Sequence, residues 1–247
     1  MRQVTQLTNS ITWIARCEHN PDGTHMHLSQ YVVEGRDGYL LVDAGEGHGQ
    51  ELTDTIHTIT DGAGIDAVVL THSILPHTEN IAAIRDLWDD ATIISSVGNP
   101  TAVGLTDAEP SFAGQTETLA GETVSFLDPL ITDVVVSSWI YHHDSQTMFT
   151  AEGVGHYHAD GECTWKSSAY EEGIPIDHIH SFASDKLKFL DFVDPSKLDR
   201  GFQNLLAEYD IQRLAPAHGT PIIGDDIDRY RETLTTVADS FSYVPVQ

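Results

Sequence analysis

Residues 68–81 read VVLTHSILPHTENI. A short apolar run gives way to a loop carrying His72 and His77, and helical periodicity begins at Glu79. A strand, a loop bearing ligating side chains and a helix make the unit with which an open α/β sheet presents functional groups, because ligands gather beyond the carboxyl ends of its strands. Three other segments end the same way. Residues 40–45, LLVDAG, form a buried strand that stops on Asp43. Residues 148–155, MFTAEGVG, end on Glu152 in a glycine-flanked turn, and residues 214–219, LAPAHG, end on His218 before a glycine. Four strand ends finishing in histidine or a carboxylate predict one convergent site.

Outward from this stretch, strand and helix alternate. ITWIAR, LSQYVVEG and YLLV read as strands, with a hairpin turn at Arg36-Asp37-Gly38. GQELTDTIHTI has helical spacing, AVVL is a strand, ENIAAIRDLW a helix and TIISS a strand. TVSFL, DVVVSSWIY and TMFTA are further strands. SKLDRGFQNLLAEY is a helix, IQRLAP a strand and DDIDRYRETLTTVA a last helix. The order is strands, αβα, strands, αβα, an α/β pattern. With no linker-like tract and no repeat, residues 1–247 read as a single domain.

Charge sets further limits. The 247 residues carry 38 acidic and 12 basic side chains, a formal charge of -26. Acidic residues spread along the whole chain suit a halophilic cytoplasm, where molar salt shortens the Debye length to about 3 Å and screens their repulsion. Such a surface would repel nucleic acid. No apolar run is long enough for a membrane span, and the first residues lack the core of a signal peptide, so a cytoplasmic location is expected. Cys17 and Cys163 make neither a disulfide framework nor a CxxC knuckle and read as two reduced thiols without a special role. Histidine is abundant, with 14 residues, several in pairs.

In order and spacing, the four segments resemble the metallo-β-lactamase superfamily, whose first metal motif looks like Thr-His-x-His-x-Asp-His with the second histidine a glutamate in the flavodiiron branch. The stretch from Phe126 to Gly155 resembles that branch without a gap, and Ala215-Pro216-Ala217-His218-Gly219 looks like its closing motif. The resemblance implies a four-layer αβ/βα sandwich of two mixed sheets and a metal site made from His72, His77, Glu152 and His218. It also implies departures. Ile74 and Pro76 stand where two ligands are expected, Asp133 aligns with a third histidine, and Glu152 with the bridging aspartate. One metal would keep only His72, Glu152 and Asp133. The other would keep His77, Glu152 and His218, two histidines and a carboxylate, a set that suits mononuclear non-haem iron or catalytic zinc. One iron or zinc ion per chain is therefore expected, with His72 an optional fourth ligand. Asp43 resembles the family's buried acid that orients a ligating histidine. No flavodoxin domain follows and no flavin is expected in this chain, so electrons would come from a separate donor, or the chain would act with a signalling partner. A homodimer is left open.

Of the remaining histidines, His25 and His27 lie in the loop before YVV and are candidates as replacement ligands. His156 and His158 follow Glu152 closely and could enter the site. His142 and His143 read as a polar turn, and His178 and His180 as surface strand or loop. Three functions stay open: binding, reduction or sensing of dioxygen, nitric oxide or peroxide; metal-dependent hydrolysis of esters, thioesters or phosphodiesters; and a scaffold that has lost its metal.

Overall fold

The structure, a computed structural model, describes residues 2–95, 105–134 and 137–241. Val135 and Val136 of the expected strand DVVVSSWIY, Ser96 of TIISS and the side chain of Pro76 lie outside the described residues. The chain forms two mixed sheets, as the α/β class requires. A seven-stranded sheet has the order β1-β2-β3-β4-β5-β6-β7 and a six-stranded one the order β13-β12-β11-β10-β9-β8. The residues cluster into two compact units. One comprises Met1–Arg16, Leu28–Asp128 and Val136–Ser145, the other Cys17–His27, Pro129–Val135 and Gln146–Gln247.

The first unit follows the sequence pattern closely. Its strands are β1 (Arg2–Gln6), β2 (Ile11–His19), β3 (His25–Glu34), β4 (Tyr39–Val42), β5 (Ala67–Leu70), β6 (Thr92–Ser95) and β7 (Glu109–Pro110), the near ends of β2 and β3 belonging to the second unit. β3 and β4 form the expected antiparallel hairpin, Tyr31 opposite Val42, and its turn is closed by Gly35 N–H donating to Gly38 O at 2.8 Å. From β4 to β7 the strands run parallel, connected by α1 (Gly49–Ile59) and by α2 (Leu75–Thr78) with α3 (Ile81–Leu87). Because AVVL is covered on both faces, all four of its residues are apolar and buried. Leu52 and Ile56 on α1 and Ile81 and Ile84 on α3 pack with Leu41, Val68, Leu70 and Ile93 into one core cluster. β8 (Thr116–Leu119), β9 (Glu122–Leu127) and β10 (Trp139–His142) make an antiparallel meander.

In the second unit β11 (Thr147–Phe149) pairs in parallel with β12 (Arg213–Ala215), which pairs antiparallel with β13 (Ile222–Ile223). Three helices complete it: α4 (Ile176–Lys186), α5 (Pro195–Glu208) and α6 (Asp226–Ser240). The start of α5 is written in the sequence. Asp194 accepts from Ser196 N–H at 2.9 Å and Lys197 N–H at 3.3 Å, with Pro195 opening the first turn. Its buried residues Leu198, Phe202 and Leu205 recur at helical spacing. Three expectations need correction. His25 and His27 lie on β3 itself and not in a loop before it. His178 and His180 lie on α4, not on a strand or loop, and His142 is no surface turn residue but a fully buried one, held by Glu122 Oε2 at 3.1 Å and Ser145 Oγ at 2.7 Å. Burial pushes the His142 pKa down although the Glu122 charge works against it.

Candidate metal centre

In the first unit, the loop after β5 is fastened to the end of β4. Asp43 adopts a left-handed backbone (φ 59), a conformation that a short polar side chain tolerates. Ala44 N–H donates to His77 O at 2.7 Å, and Asn80 Nδ2 donates to Ala44 O at 2.8 Å. Asp43 is then surrounded by donors. Its Oδ1 accepts from Thr71 N–H at 2.8 Å, its carboxylate from Thr71 Oγ1 at 2.8 and 3.0 Å, and Oδ2 from His77 Nδ1 at 3.0 Å. Because Thr71 spends its hydrogen on Asp43, its oxygen accepts from His72 Nδ1 at 3.1 Å. The two imidazoles lie against each other, ring centres 3.7 Å apart and planes at 46°. Both are buried, and both carry their hydrogen on Nδ1, so Nε2 is the nitrogen each would offer a metal. Ile74, the residue before α2, offers no donor.

The second unit presents the complementary pair. Glu152 lies in the turn after β11, where Ala151 is left-handed (φ 48) and its carbonyl accepts from Ala217 N–H at 2.8 Å. That bond brings the turn after β12 alongside. His218 Nδ1 faces His27 O at 2.9 Å, and Nε2 faces Glu152 Oε1 at 3.0 Å. Gly219 is required here: its φ is +98, and a Cβ would stand 2.4 Å from His156 Nδ1. His156 accepts from Thr220 N–H through Nε2 at 3.1 Å. Burial drives its pKa well below the usual value, and the neighbouring His27, His158 and His178 push the same way.

The donor set fits a transition metal. A carbonyl oxygen only accepts, so His218 carries its hydrogen on Nδ1 and turns a lone pair toward Glu152. Two acceptors 3.0 Å apart need a cation, either a shared proton or a metal ion. In His72, His77 and His218 alike, Nδ1 lies against an oxygen, which makes Nε2 the nitrogen that each would offer a metal. Asp133 is half-buried in a turn, where its Oδ1 accepts from Thr132 Oγ1 at 3.4 Å.

A second cluster in the same unit was not legible in the sequence. Cys17 at the end of β2 and Cys163 in the loop before α4 come together as a disulfide pair, Cα atoms 6.2 Å apart, and His25 and His158 join them. This corrects the expectation of two unrelated thiols. A separation of 146 residues carries no spacing signal, so only the tertiary fold reveals the pair. His27 stacks on His158 with ring centres 4.2 Å apart, and its Nε2 meets Cys163 O at 2.8 Å. Burial lowers the His27 pKa to about 4, against the lift from the Cys163 and Gly219 backbone, and lowers that of His158 to about 3, with His27 and His25 adding repulsion.

Solved structures with this arrangement of strands and helices include those of flavodiiron proteins. A flavoprotein from Thermotoga maritima superposes with TM-score 0.78 at 15% identity, covering 96% of this chain and 61% of that one. The rubredoxin oxygen:oxidoreductase of Desulfovibrio gigas gives 0.75 at 17%, covering 96% and 62%, and the flavodiiron protein of Giardia intestinalis 0.73 at 14%, covering 96% and 60%. The fold is that of the flavodiiron core. This chain spans about three fifths of the length of those proteins. No protein-family model matches the sequence, and no curated protein does. The flavodiiron-type fold therefore comes with potential metal ligands at its strand ends but at an identity that carries the architecture alone. Among the described residues, no helix is long and apolar enough to cross a membrane.

Proposed function

We propose that this chain is a flavodiiron-type protein with a reduced, mononuclear site, one iron or zinc ion held by His77, Glu152 and His218 with His72 as a further ligand, that binds, reduces or senses dioxygen, nitric oxide or peroxide. The observation that carries the reading is the shared placement of Nδ1: three histidines have Nδ1 against an oxygen, and one of them turns Nε2 to a carboxylate 3.0 Å away. The proposal requires the histidines of the first unit and the Glu152/His218 pair of the second to share the ion. Two histidines and a carboxylate leave coordination positions open, and a ferrous ion there would supply binding and electron transfer to a diatomic ligand. Asp43 orients His77 and supports its basicity, Thr71 fixes His72, and the His27 carbonyl fixes His218.

Ile74, which cannot ligate, and Asp133, which stands where a histidine is expected, favour one ion over two. The gas-binding class rests on the flavodiiron architecture and on the names of the relatives, one of which is an oxygen oxidoreductase. Electrons would come from a separate donor protein. The test is anaerobic purification from iron-replete cells, followed by addition of nitric oxide or dioxygen to the reduced protein. A change in the iron spectrum supports the reading. Bound zinc with turnover of generic esters or phosphodiesters would point to the hydrolase instead.

A further inference from the structure

Away from the proposed ion of His77, Glu152 and His218, the second unit holds two cysteines and two histidines whose ligating atoms all lie within 4.8 Å of one another: Cys17, His25, His158 and Cys163. We infer that these four side chains form a Cys2His2 site for one tetrahedral zinc-class ion, with both cysteines as thiolates and the disulfide as its oxidised, metal-free form. No part of this rests on the proposed function, which uses other residues.

Distances carry the inference first. Cys17 Sγ is 3.5 Å from His25 Nδ1 and 3.4 Å from His158 Nε2, and Cys163 Sγ is 3.2 Å from His25 Nδ1. With zinc–sulfur bonds of about 2.3 Å and zinc–nitrogen bonds of about 2.0–2.1 Å, the sulfur–nitrogen edge of a tetrahedron is about 3.6 Å. The three edges already have nearly that length. The two sulfurs must part, to about 3.8 Å, which breaking their bond allows.

The scaffold supports the same conclusion. His25 and His158 face each other as an isolated antiparallel pair, His25 N–H donating to His158 O at 2.8 Å and His158 N–H to His25 O at 2.9 Å, so the backbone itself sets the spacing of the two imidazoles. Cys17 precedes His25 across the β2–β3 hairpin. Cys163 follows His158 through a turn in which Glu162 Oε2 accepts from Ala159 N–H at 2.9 Å. His27 holds the Cys163 carbonyl and stacks on His158, which fixes both from outside the cluster. Both histidines are buried while both cysteines are half-buried, so the cysteines face the approach of an ion or a reductant. Conversion between the two forms balances with a dithiol as reductant. The dithiol gives two electrons and two protons to the disulfide and becomes a disulfide itself, and zinc then displaces two protons from the new thiols. The ion would anchor the tip of the β2–β3 hairpin, whose His27 carbonyl aligns His218.

Cobalt(II) titration of the whole chain, reduced and kept anaerobic, tests this. Thiolate ligands give cobalt an intense near-ultraviolet charge-transfer band that histidine and carboxylate ligands do not. The expected result is one such cobalt per chain, displaced by zinc, with the band lost in Cys17→Ser and Cys163→Ser and the affinity lowered about 10-fold or more in His158→Ala. His218→Ala should keep the band, which separates this site from the proposed functional one. Absence of a thiolate band in the reduced wild-type chain, or its survival in both cysteine variants, overturns the inference. So does peptide mapping that finds the Cys17–Cys163 disulfide intact in protein isolated from its host under reducing, anaerobic conditions.

Discussion

Replacing Asp43 by asparagine isolates the chemistry of the first unit's ligand pair. Asparagine tolerates the left-handed backbone of this position, so the strand end should keep its course (φ 59). What changes is the accepting capacity. The carboxylate takes hydrogen bonds from Thr71 N–H, Thr71 Oγ1 and His77 Nδ1, and asparagine has a single oxygen to offer. If that oxygen serves Thr71, the new amide points a donor at His77 Nδ1. His77 must then move its hydrogen to Nε2, the nitrogen that would ligate. Loss of one hydrogen bond to a buried charged group costs about 1.5–3 kcal/mol of stability. Loss of the orienting acid should weaken the metal about 10- to 100-fold. Urea unfolding of metal-free protein measures the first effect, and competition with a chelator the second. Unchanged metal affinity in a folded Asp43→Asn protein would refute the orienting role of Asp43, and with it the tautomer argument for His77.

Other outcomes follow from the same structure. Melting temperature should climb along a KCl series toward molar salt, because 38 acidic residues against 12 basic ones repel at low ionic strength; a flat or falling series would mean that the acids serve a partner. His27 and His158 are held neutral, with pKa values near 4 and 3 against an ordinary 6.5. Below pH 6.5 the unfolded chain takes up protons that the folded chain refuses, so the urea midpoint of metal-free protein should fall steadily from pH 6.5 to 4, each histidine contributing up to about 1.4 kcal/mol per pH unit. A midpoint constant over that window would contradict their burial. Gly219→Ala combines a left-handed backbone with a contact on His156 and should cost about 2 kcal/mol or more by denaturant unfolding, with wild-type stability the opposing result.

Much of the architecture could be read from the sequence because it is local. AVVL, the Asp37-Gly38 hairpin and the Asp194-Pro195 helix start each carry their signal within a few residues. Asp43, His72, Glu152 and His218 were legible for the same reason, as polar residues that end apolar strands. What escaped depends on distant partners or on weak periodicity. α4 begins IDHIH, where histidines and an acid interrupt the apolar stripe, so that Ile179, Phe182 and Ala183 carry it with little support. His142 reads as polar beside His143 and Asp144, yet Glu122 on the neighbouring strand gives it a buried partner. The cluster of Cys17, His25, His158 and Cys163 depends on a pairing across most of the chain.

The central claim, one ion held by His77, Glu152 and His218, is tested most directly by metal content in protein whose cysteine site has been removed. Cys17→Ser/Cys163→Ser protein, purified anaerobically from iron-replete cells and assayed by elemental analysis, should hold one iron or zinc per chain. Adding His218→Ala should abolish it, and adding Asp133→Ala should leave it in place. Two equivalents of metal, or one that survives His218→Ala, would contradict the account, and none at all would leave a flavodiiron-type fold acting as a scaffold.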